Sequence, residues 1–249
     1  MTFRDKGISG TVTGLVEGMK QRREAVAPVV VLMVLALGLY AFLSIADEVA
    51  EGEIRAFDEQ LFLAMRSDTD PAKLLGPPWL EEAALELTAL GGYALIILAL
   101  AAVTGLFVVT RRYGPAVYLV LSVALGALVS HFFKEFYARP RPDLVDHLDK
   151  VHTASFPSGH AMMSTVAYLT LAALVIRFFD DIRVQIYVVA VALFVAVTVG
   201  WSRVYLGVHW PSDVAAGWAL GVAWASFTWL VVAFLQFWRR RARRRGGER

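Results

Sequence analysis

The chain has 249 residues, of which 57% are apolar even without its 19 glycines, and it carries 24 basic and 22 acidic residues. Soluble domains hold about 45–50% apolar residues with glycine included, so this composition excludes a soluble globular protein and equally a disordered chain. The chain contains no cysteine, which excludes thiol catalysis, disulfides and thiolate metal sites. The composition predicts an all-α polytopic membrane protein with a single membrane domain over residues 1–249.

Six apolar runs are predicted to cross the membrane as helices. The first, at 26–46, is 21 residues long without a charge and follows a basic segment at 1–24, which we expect to be cytoplasmic. A signal peptide has the same order of segments, but this run is too long and lacks a small-residue cleavage site. Five further runs follow at 91–110, 115–133, 161–179, 184–200 and 214–238. Spans of about 20 residues each predict a six-helix bundle.

A polar, acid-rich loop at 47–90 separates the first two spans. Within it, four apolar residues recur at helical spacing with charged residues between them: Phe57, Leu61, Phe62 and Met65. This pattern predicts an amphipathic helix, which either lies on the membrane surface or packs on the bundle. The C-terminal residues 239–249 form a basic tail, which we expect to be solvated near lipid headgroups.

The charges predict the orientation of the bundle. With six spans, the side that holds both termini has 16 basic and six acidic residues, whereas the opposite side has eight basic and 16 acidic residues. The net charges are therefore +10 and −8. Because basic residues collect on the cytoplasmic side of membrane proteins, the termini are predicted to be cytoplasmic. The loops at 47–90, 134–160 and 201–213 then face outward.

Four of the basic residues in these acidic outer loops lie close to the end of a span. Lys134, Arg139 and Arg141 follow the third span in the segment KEFYARPRP, and Arg203 follows the fifth. A single arginine at a helix end is explained by snorkelling of its side chain to the interface. Two loops that bring arginines to the same membrane face predict instead a receptor for an anion, and the planar guanidinium fork suits phosphate.

The segment 156–160, with the sequence FPSGH, precedes the fourth span. Proline and a small polar residue before an apolar run are typical of a helix start, where Gly159 allows close approach of the backbone to a ligand. The free N–H groups of a first helical turn bind anions. This segment alone is a weak signal, because such turns also occur by chance.

His209 and Asp213 are four residues apart and can meet on one helix face. A carboxylate bonded to one imidazole nitrogen leaves the other nitrogen as a nucleophile or base. An ordinary helix cap, with Pro211 in the first turn, explains the same segment. The pair could also ligate zinc, although the cations predicted on the same face disfavour a metal. No role is assigned to three other histidines: His131, His147 and His152.

Taken together, the three segments resemble the signature of the type 2 phosphatidic acid phosphatase (PAP2) superfamily of membrane lipid phosphatases. That signature reads K-x6-RP, PSGH and SR-x5-H-x3-D. Every signature position is matched in order and spacing by Lys134, Arg141, Pro142, Pro157, Ser158, Gly159, His160, Ser202, Arg203, His209 and Asp213. The resemblance covers about residues 90–235, a PAP2-like catalytic core.

The resemblance implies a role for each matched residue. His209 would be the nucleophile that becomes a phosphohistidine, Asp213 would orient it, and His160 would be the general acid. The phosphoryl oxygens would be held by Lys134, Arg141, Ser158, the Gly159 backbone and Arg203. Neither a metal nor another cofactor is expected. Arg139 lies outside the family pattern; a contact with lipid headgroups would explain it, and no role is assigned to it.

The resemblance also implies an enzyme at the outer face of a bacterial cytoplasmic membrane. Its substrate would be a membrane lipid phosphate or diphosphate such as undecaprenyl diphosphate, phosphatidylglycerol phosphate, phosphatidic acid or a lipid A phosphate. Two alternatives are a lipid-to-lipid phosphotransferase with the same site and a non-catalytic lipid-phosphate binding or transport protein. The expected partners are the lipid substrate and the bilayer, with no nucleic acid, and no oligomeric state is predicted.

Overall fold

The structure is a computed structural model that describes the backbone of residues 6–149 and 153–246 and the side chains of residues 26–149 and 153–243. His152 and the outermost parts of the two terminal segments (1–5 and 247–249) lie outside the described residues. Eight helices and two short strands follow one another along the described chain: α1 Lys6–Glu51, α2 Arg55–Leu63, β1 Arg66–Ser67, β2 Asp70–Leu74, α3 Pro78–Ala89, α4 Tyr93–Val109, α5 Tyr113–Tyr137, α6 Gly159–Ile176, α7 Ile182–Tyr205 and α8 Pro211–Gly246.

The prediction of an all-α, multi-pass membrane bundle is confirmed. Five of the described helices are long and apolar enough to cross a bilayer, namely α1, α5, α6, α7 and α8. Helices α3 and α4 pass the same test only as a pair, which is bent by 48° at the break between them, so the described helices give five candidate spans, or six when this pair is counted as one. Gly91 lies at this break, where a Cβ atom would come within 2.4 Å of Val199 Cγ1. The close approach of α7 to this break therefore requires glycine at position 91.

Helix α6 lies at the centre of the bundle, packed against α5, α7 and α8. Small residues let α6 and α8 approach closely, as is common between membrane helices. A Cβ on Gly217 would lie 2.7 Å from the Ser158 carbonyl oxygen, and one on Gly221 would lie 2.7 Å from Thr165 Cβ. The N-termini of α6 and α8 are therefore held side by side at the membrane face where α5 and α7 end.

The outer segment folds onto this end of the bundle. Helix α2 is amphipathic as predicted, and it packs on the bundle, with Asp58 and Phe62 fully buried. The Phe62 ring lies 5.8 Å from that of Trp210, while Phe57 and Leu61, which the sequence grouped with Phe62, stay exposed. Strands β1 and β2 form a short antiparallel hairpin, and α3 packs on α7. At the other end of the chain, the basic tail continues α8 as helix to Gly246.

Candidate active site

The eight site residues predicted from the sequence lie together at the end of the bundle covered by the outer segment. Five segments supply them: the C-terminal turn of α5, the C-terminal turn of α7, the loop between α5 and α6, the first turn of α6, and the turn into α8. These residues are Lys134, Arg141, Ser158, Gly159, His160, Arg203, His209 and Asp213. The fold thus brings together in space three motifs that are far apart along the chain.

His209 and Asp213 form a buried pair. The side chains are 2% and 0% exposed, and 3.4 Å separates His209 Nδ1 from Asp213 Oδ2. Helix α8 begins at Pro211, so His209 lies in the turn before it, and the two residues do not meet across a helix face as the spacing suggested. Instead, Asp213 folds back over its own helix start, where Oδ2 accepts the backbone N–H of Trp210 at 2.9 Å. Asp213 therefore caps the start of α8 and pairs with His209 at the same time, so both interpretations of this segment are correct.

The hydrogen bonds of His209 define its neutral tautomer. Arg141 Nη1 lies 3.2 Å from His209 Nε2. A guanidinium group can only donate, so Nε2 accepts this bond and the ring proton is on Nδ1. Nδ1 faces Asp213 and the hydroxyl of Ser155 at 3.3 Å, and that hydroxyl also donates to Asp213 Oδ2. The lone pair of Nε2 consequently points toward the guanidinium of Arg141.

Burial lowers the pKa of His209 well below its usual value of 6.5. The positive charges of Lys134, Arg141 and Arg203 lower this pKa further. Burial, together with the charge of Arg203, also lowers the pKa of Arg141, to about 10. At neutral pH, His209 is therefore an uncharged imidazole, while Arg141 keeps its positive charge.

Three cations lie near His209, of which Lys134 and Arg203 are buried and Arg141 is partly buried. Lys134 Nζ donates to the carbonyl of Ala154 at 2.6 Å, and Arg141 Nη1 donates to the carbonyl of Val208 at 2.6 Å. Arg203 pairs with the Asp149 carboxylate and donates to Thr88 Oγ1 at 2.9 Å. Carbonyl groups orient Lys134 and Arg141 without neutralising them. This arrangement favours the binding of an anion with several oxygens.

The first turn of α6 forms another side of the site. Ser158 caps the helix: its side chain accepts from the backbone N–H of Ala161, and its own N–H donates to the Asp213 carbonyl at 2.9 Å. A Cβ on Gly159 would lie 3.3 Å from Lys134 Cε, so the lysine side chain passes directly over this glycine. The partly buried His160 follows, with Nε2 next to the α3–α4 break at Gly92. A helix N-terminus in this position adds partial positive charge.

The structure gives Arg139, to which the sequence assigned no role, two buried partners in place of lipid headgroups. Its side chain is only 13% exposed, with Nη1 donating to Asp213 Oδ1 at 2.6 Å and Nη2 donating to Asp58 Oδ2 at 2.8 Å. Sequence analysis missed Asp58 altogether. A signal for Asp58 was available in the sequence. Asp58 lies four residues before Phe62 and therefore on the same, apolar face of the amphipathic helix, where a charged residue needs a buried partner.

Within the part of the chain that the structure describes, no three His, Asp or Glu side chains come together in the manner of a metal site. The carboxylate of Asp213 is occupied by Arg139, Ser155 and the Trp210 N–H. The Nε2 atom of His209 faces the guanidinium of Arg141. The Nε2 side of His209 therefore faces positive charge, which suits the binding of an anion.

Comparisons of the sequence with protein families and with known proteins agree with one another. A model of the PAP2 superfamily matches residues 115–237, which contain all eight site residues. The chain is 29% identical over 184 residues to phosphatidylglycerophosphatase B of Bacillus subtilis, covering 73% of this chain and 86% of that protein. It is 34% identical over 123 residues to undecaprenyl-diphosphatase of Sulfolobus acidocaldarius, covering 47% of this chain and 54% of that protein, so the match spans about half the length of this relative.

A solved structure has the same fold. The crystal structure of a transmembrane PAP2-type phosphatidylglycerolphosphate phosphatase from Bacillus subtilis superimposes with a TM-score of 0.69 at 28% identity. The superposition covers 78% of this chain and 93% of that one. The likeness therefore extends beyond the three motifs to most of the bundle.

Proposed function

The chain belongs to the PAP2 superfamily, and we propose that it is an integral-membrane phosphatase that hydrolyses a lipid phosphate or diphosphate through a phosphohistidine on His209. The carrying observation is the neutral, buried imidazole of His209, whose Nε2 lone pair faces Arg141 and which lies within the influence of the positive charges of Lys134 and Arg203. Phosphoryl transfer requires a positioned nucleophile and positive charge around the phosphoryl oxygens, and this site supplies both from side chains.

In the first step, His209 Nε2 attacks phosphorus and the bond between phosphorus and the leaving oxygen breaks. His160 donates a proton to that oxygen, so the lipid leaves as an alcohol or a monophosphate. The three cations and the first turn of α6 hold the phosphoryl oxygens, and Asp213 stabilises the positive charge that develops on the imidazole. In the second step, His160 takes a proton from water, which attacks phosphorus, releases inorganic phosphate and restores His209.

We place this reaction at the outer face of a bacterial cytoplasmic membrane, with both termini in the cytoplasm. The charge difference between the two sides of the bundle supports this orientation. The substrate candidates are phosphatidylglycerol phosphate and undecaprenyl diphosphate, after the relatives from Bacillus subtilis and Sulfolobus acidocaldarius, together with phosphatidic acid and lipid A phosphates. All of them present a phosphate group at the membrane surface.

The test is release of inorganic phosphate by the purified protein in detergent from a panel of these four lipids, with and without EDTA. We expect release from at least one lipid at the same rate in EDTA, because the proposed charge stabilisation comes from three side chains. Inorganic phosphate as product separates a hydrolase from a phosphotransferase, which would yield a second phosphorylated lipid. Loss of activity in EDTA that zinc restores would contradict the metal-free mechanism, and release from no lipid would contradict the function.

The lowered pKa of His209 predicts activity that persists in mild acid. An ordinary histidine with a pKa of about 6.5 would be roughly 90% protonated at pH 5.5, which would lower the rate about tenfold. Because the pKa of His209 lies well below that value, its neutral form persists as the pH falls. We expect kcat/KM to fall less than about threefold between pH 7.0 and pH 5.5. Repeating the profile with a phosphorothioate analogue, whose own ionisation differs, separates the titration of the substrate from that of the enzyme; a tenfold fall with both would contradict the assignment.

A further inference from the structure

We propose that Asp58 and Arg139 are positioning residues that set the net charge of the buried group around the His209–Asp213 pair. The inference rests on the proposed function and extends it. It makes α2, which lies outside the three motifs, a part of the machinery that supports the nucleophile.

The guanidinium of Arg139 joins two carboxylates from different parts of the chain. One nitrogen donates to Asp213 at 2.6 Å and the other donates to Asp58 at 2.8 Å. Both carboxylates are 0% exposed, and the Arg139 side chain is 13% exposed. Water therefore screens these three charges only weakly, and each strongly influences the others. A lysine could not make both bonds with the same geometry.

Asp58 also determines where the first turn of α8 lies. Its Oδ1 accepts the backbone N–H of Ser212 at 2.8 Å, and its Oδ2 accepts the Ser212 hydroxyl. Helix α8 thus receives part of its N-terminal cap from α2, 154 residues earlier in the chain. Since Asp213 is the next residue, the same contact holds its carboxylate against His209.

The charges of this group match the charge that the reaction creates. Before the reaction, Asp58, Arg139 and Asp213 together carry one net negative charge beside a neutral His209. Without Asp58, Arg139 would neutralise Asp213 completely, and nothing would be left to balance a positive imidazole. When Nε2 bonds to phosphorus, His209 gains a positive charge and the buried group becomes neutral. The second carboxylate therefore restores the negative charge that Arg139 removes.

Variants that change the charge by one unit in each direction test this inference. Asp58→Asn brings the net charge of the group to zero, Arg139→Gln brings it to −2, and the double variant returns it to −1. We expect each single variant to lower kcat about tenfold or more, and the double variant to be several-fold faster than Asp58→Asn. KM and the inhibition constant of inorganic phosphate should change by less than about twofold, because the three cations that hold phosphate are untouched.

Glu59→Gln is the matched control, since Glu59 is the partly exposed neighbour of Asp58 and pairs with Arg55 on the surface of the same helix. It should leave kcat unchanged. Thermal unfolding of each variant identifies loss of folded protein. A double variant slower than both single variants, or an Asp58→Asn variant as fast as wild type, would overturn this inference and leave the proposed phosphatase intact. A wild-type protein inactive on every lipid would overturn the proposed function and this inference with it.

Discussion

Replacing His209 with alanine is expected to lower kcat for phosphate release by about 10⁴-fold or more, because the covalent intermediate can no longer form. The imidazole is 2% exposed, its Nδ1 proton is held by Asp213, and its Nε2 faces Arg141. None of these neighbours carries a second nucleophile in the same position. The measurement is the initial rate of phosphate release from the best lipid of the panel.

The control is His131→Ala, since His131 lies exposed on α5 and took no role in the site. It should keep wild-type turnover. Thermal unfolding in detergent checks that the His209 variant is folded, because a buried histidine contributes to packing. Turnover within tenfold of wild type in a folded His209→Ala protein would contradict the nucleophile assignment.

Replacing His160 with glutamine is expected to have a large effect that depends on the leaving group. General acid catalysis contributes about 10²–10⁴-fold, and it matters most when the leaving oxygen is strongly basic. We expect kcat/KM to fall by about 10²-fold or more with phosphatidic acid, whose leaving group is an alkoxide. With p-nitrophenyl phosphate, whose leaving phenolate needs little protonation, the loss should be at least about tenfold smaller.

The ratio kcat/KM is the appropriate quantity because it reports the steps up to cleavage of the bond to the leaving group. The later hydrolysis of the phosphohistidine, in which His160 would act as base, affects kcat instead. The two substrates therefore separate an acid role from a role in holding phosphate. Equal losses of kcat/KM with both substrates would assign His160 to phosphate binding.

The membrane architecture was predictable because hydropathy and charge are local properties of the sequence. A run such as 26–46 has one way to satisfy its backbone in lipid, and a helix results. The bend between α3 and α4 was not predicted, although the sequence carries Gly91 and Gly92 at that point. Glycine permits such a bend, but the packing partner that requires it, Val199, lies more than 100 residues away.

The site residues were predictable as far as their motifs reach, and their surroundings were not. Arg139 and Arg141 are two residues apart and both lie near Pro140, so composition does not distinguish them. In the fold they point to different sides of the same imidazole. Arg141 reaches Nε2, where phosphate would bind, and Arg139 reaches the carboxylate behind Nδ1. Arg139 is held on its side by Asp58, 81 residues earlier in the chain, and spacing within a motif carries no information about that contact.

The central claim is a phosphohistidine at position 209, and the most direct measurement is to trap it. The protein is mixed with excess substrate, quenched within milliseconds in base, where phosphohistidine survives, and digested for peptide mass spectrometry. We expect phosphate on the peptide containing His209 in wild type and in His131→Ala, and on no peptide in His209→Ala. Turnover without any phosphorylated peptide, or phosphate on a residue other than His209, would contradict a phosphohistidine at this position.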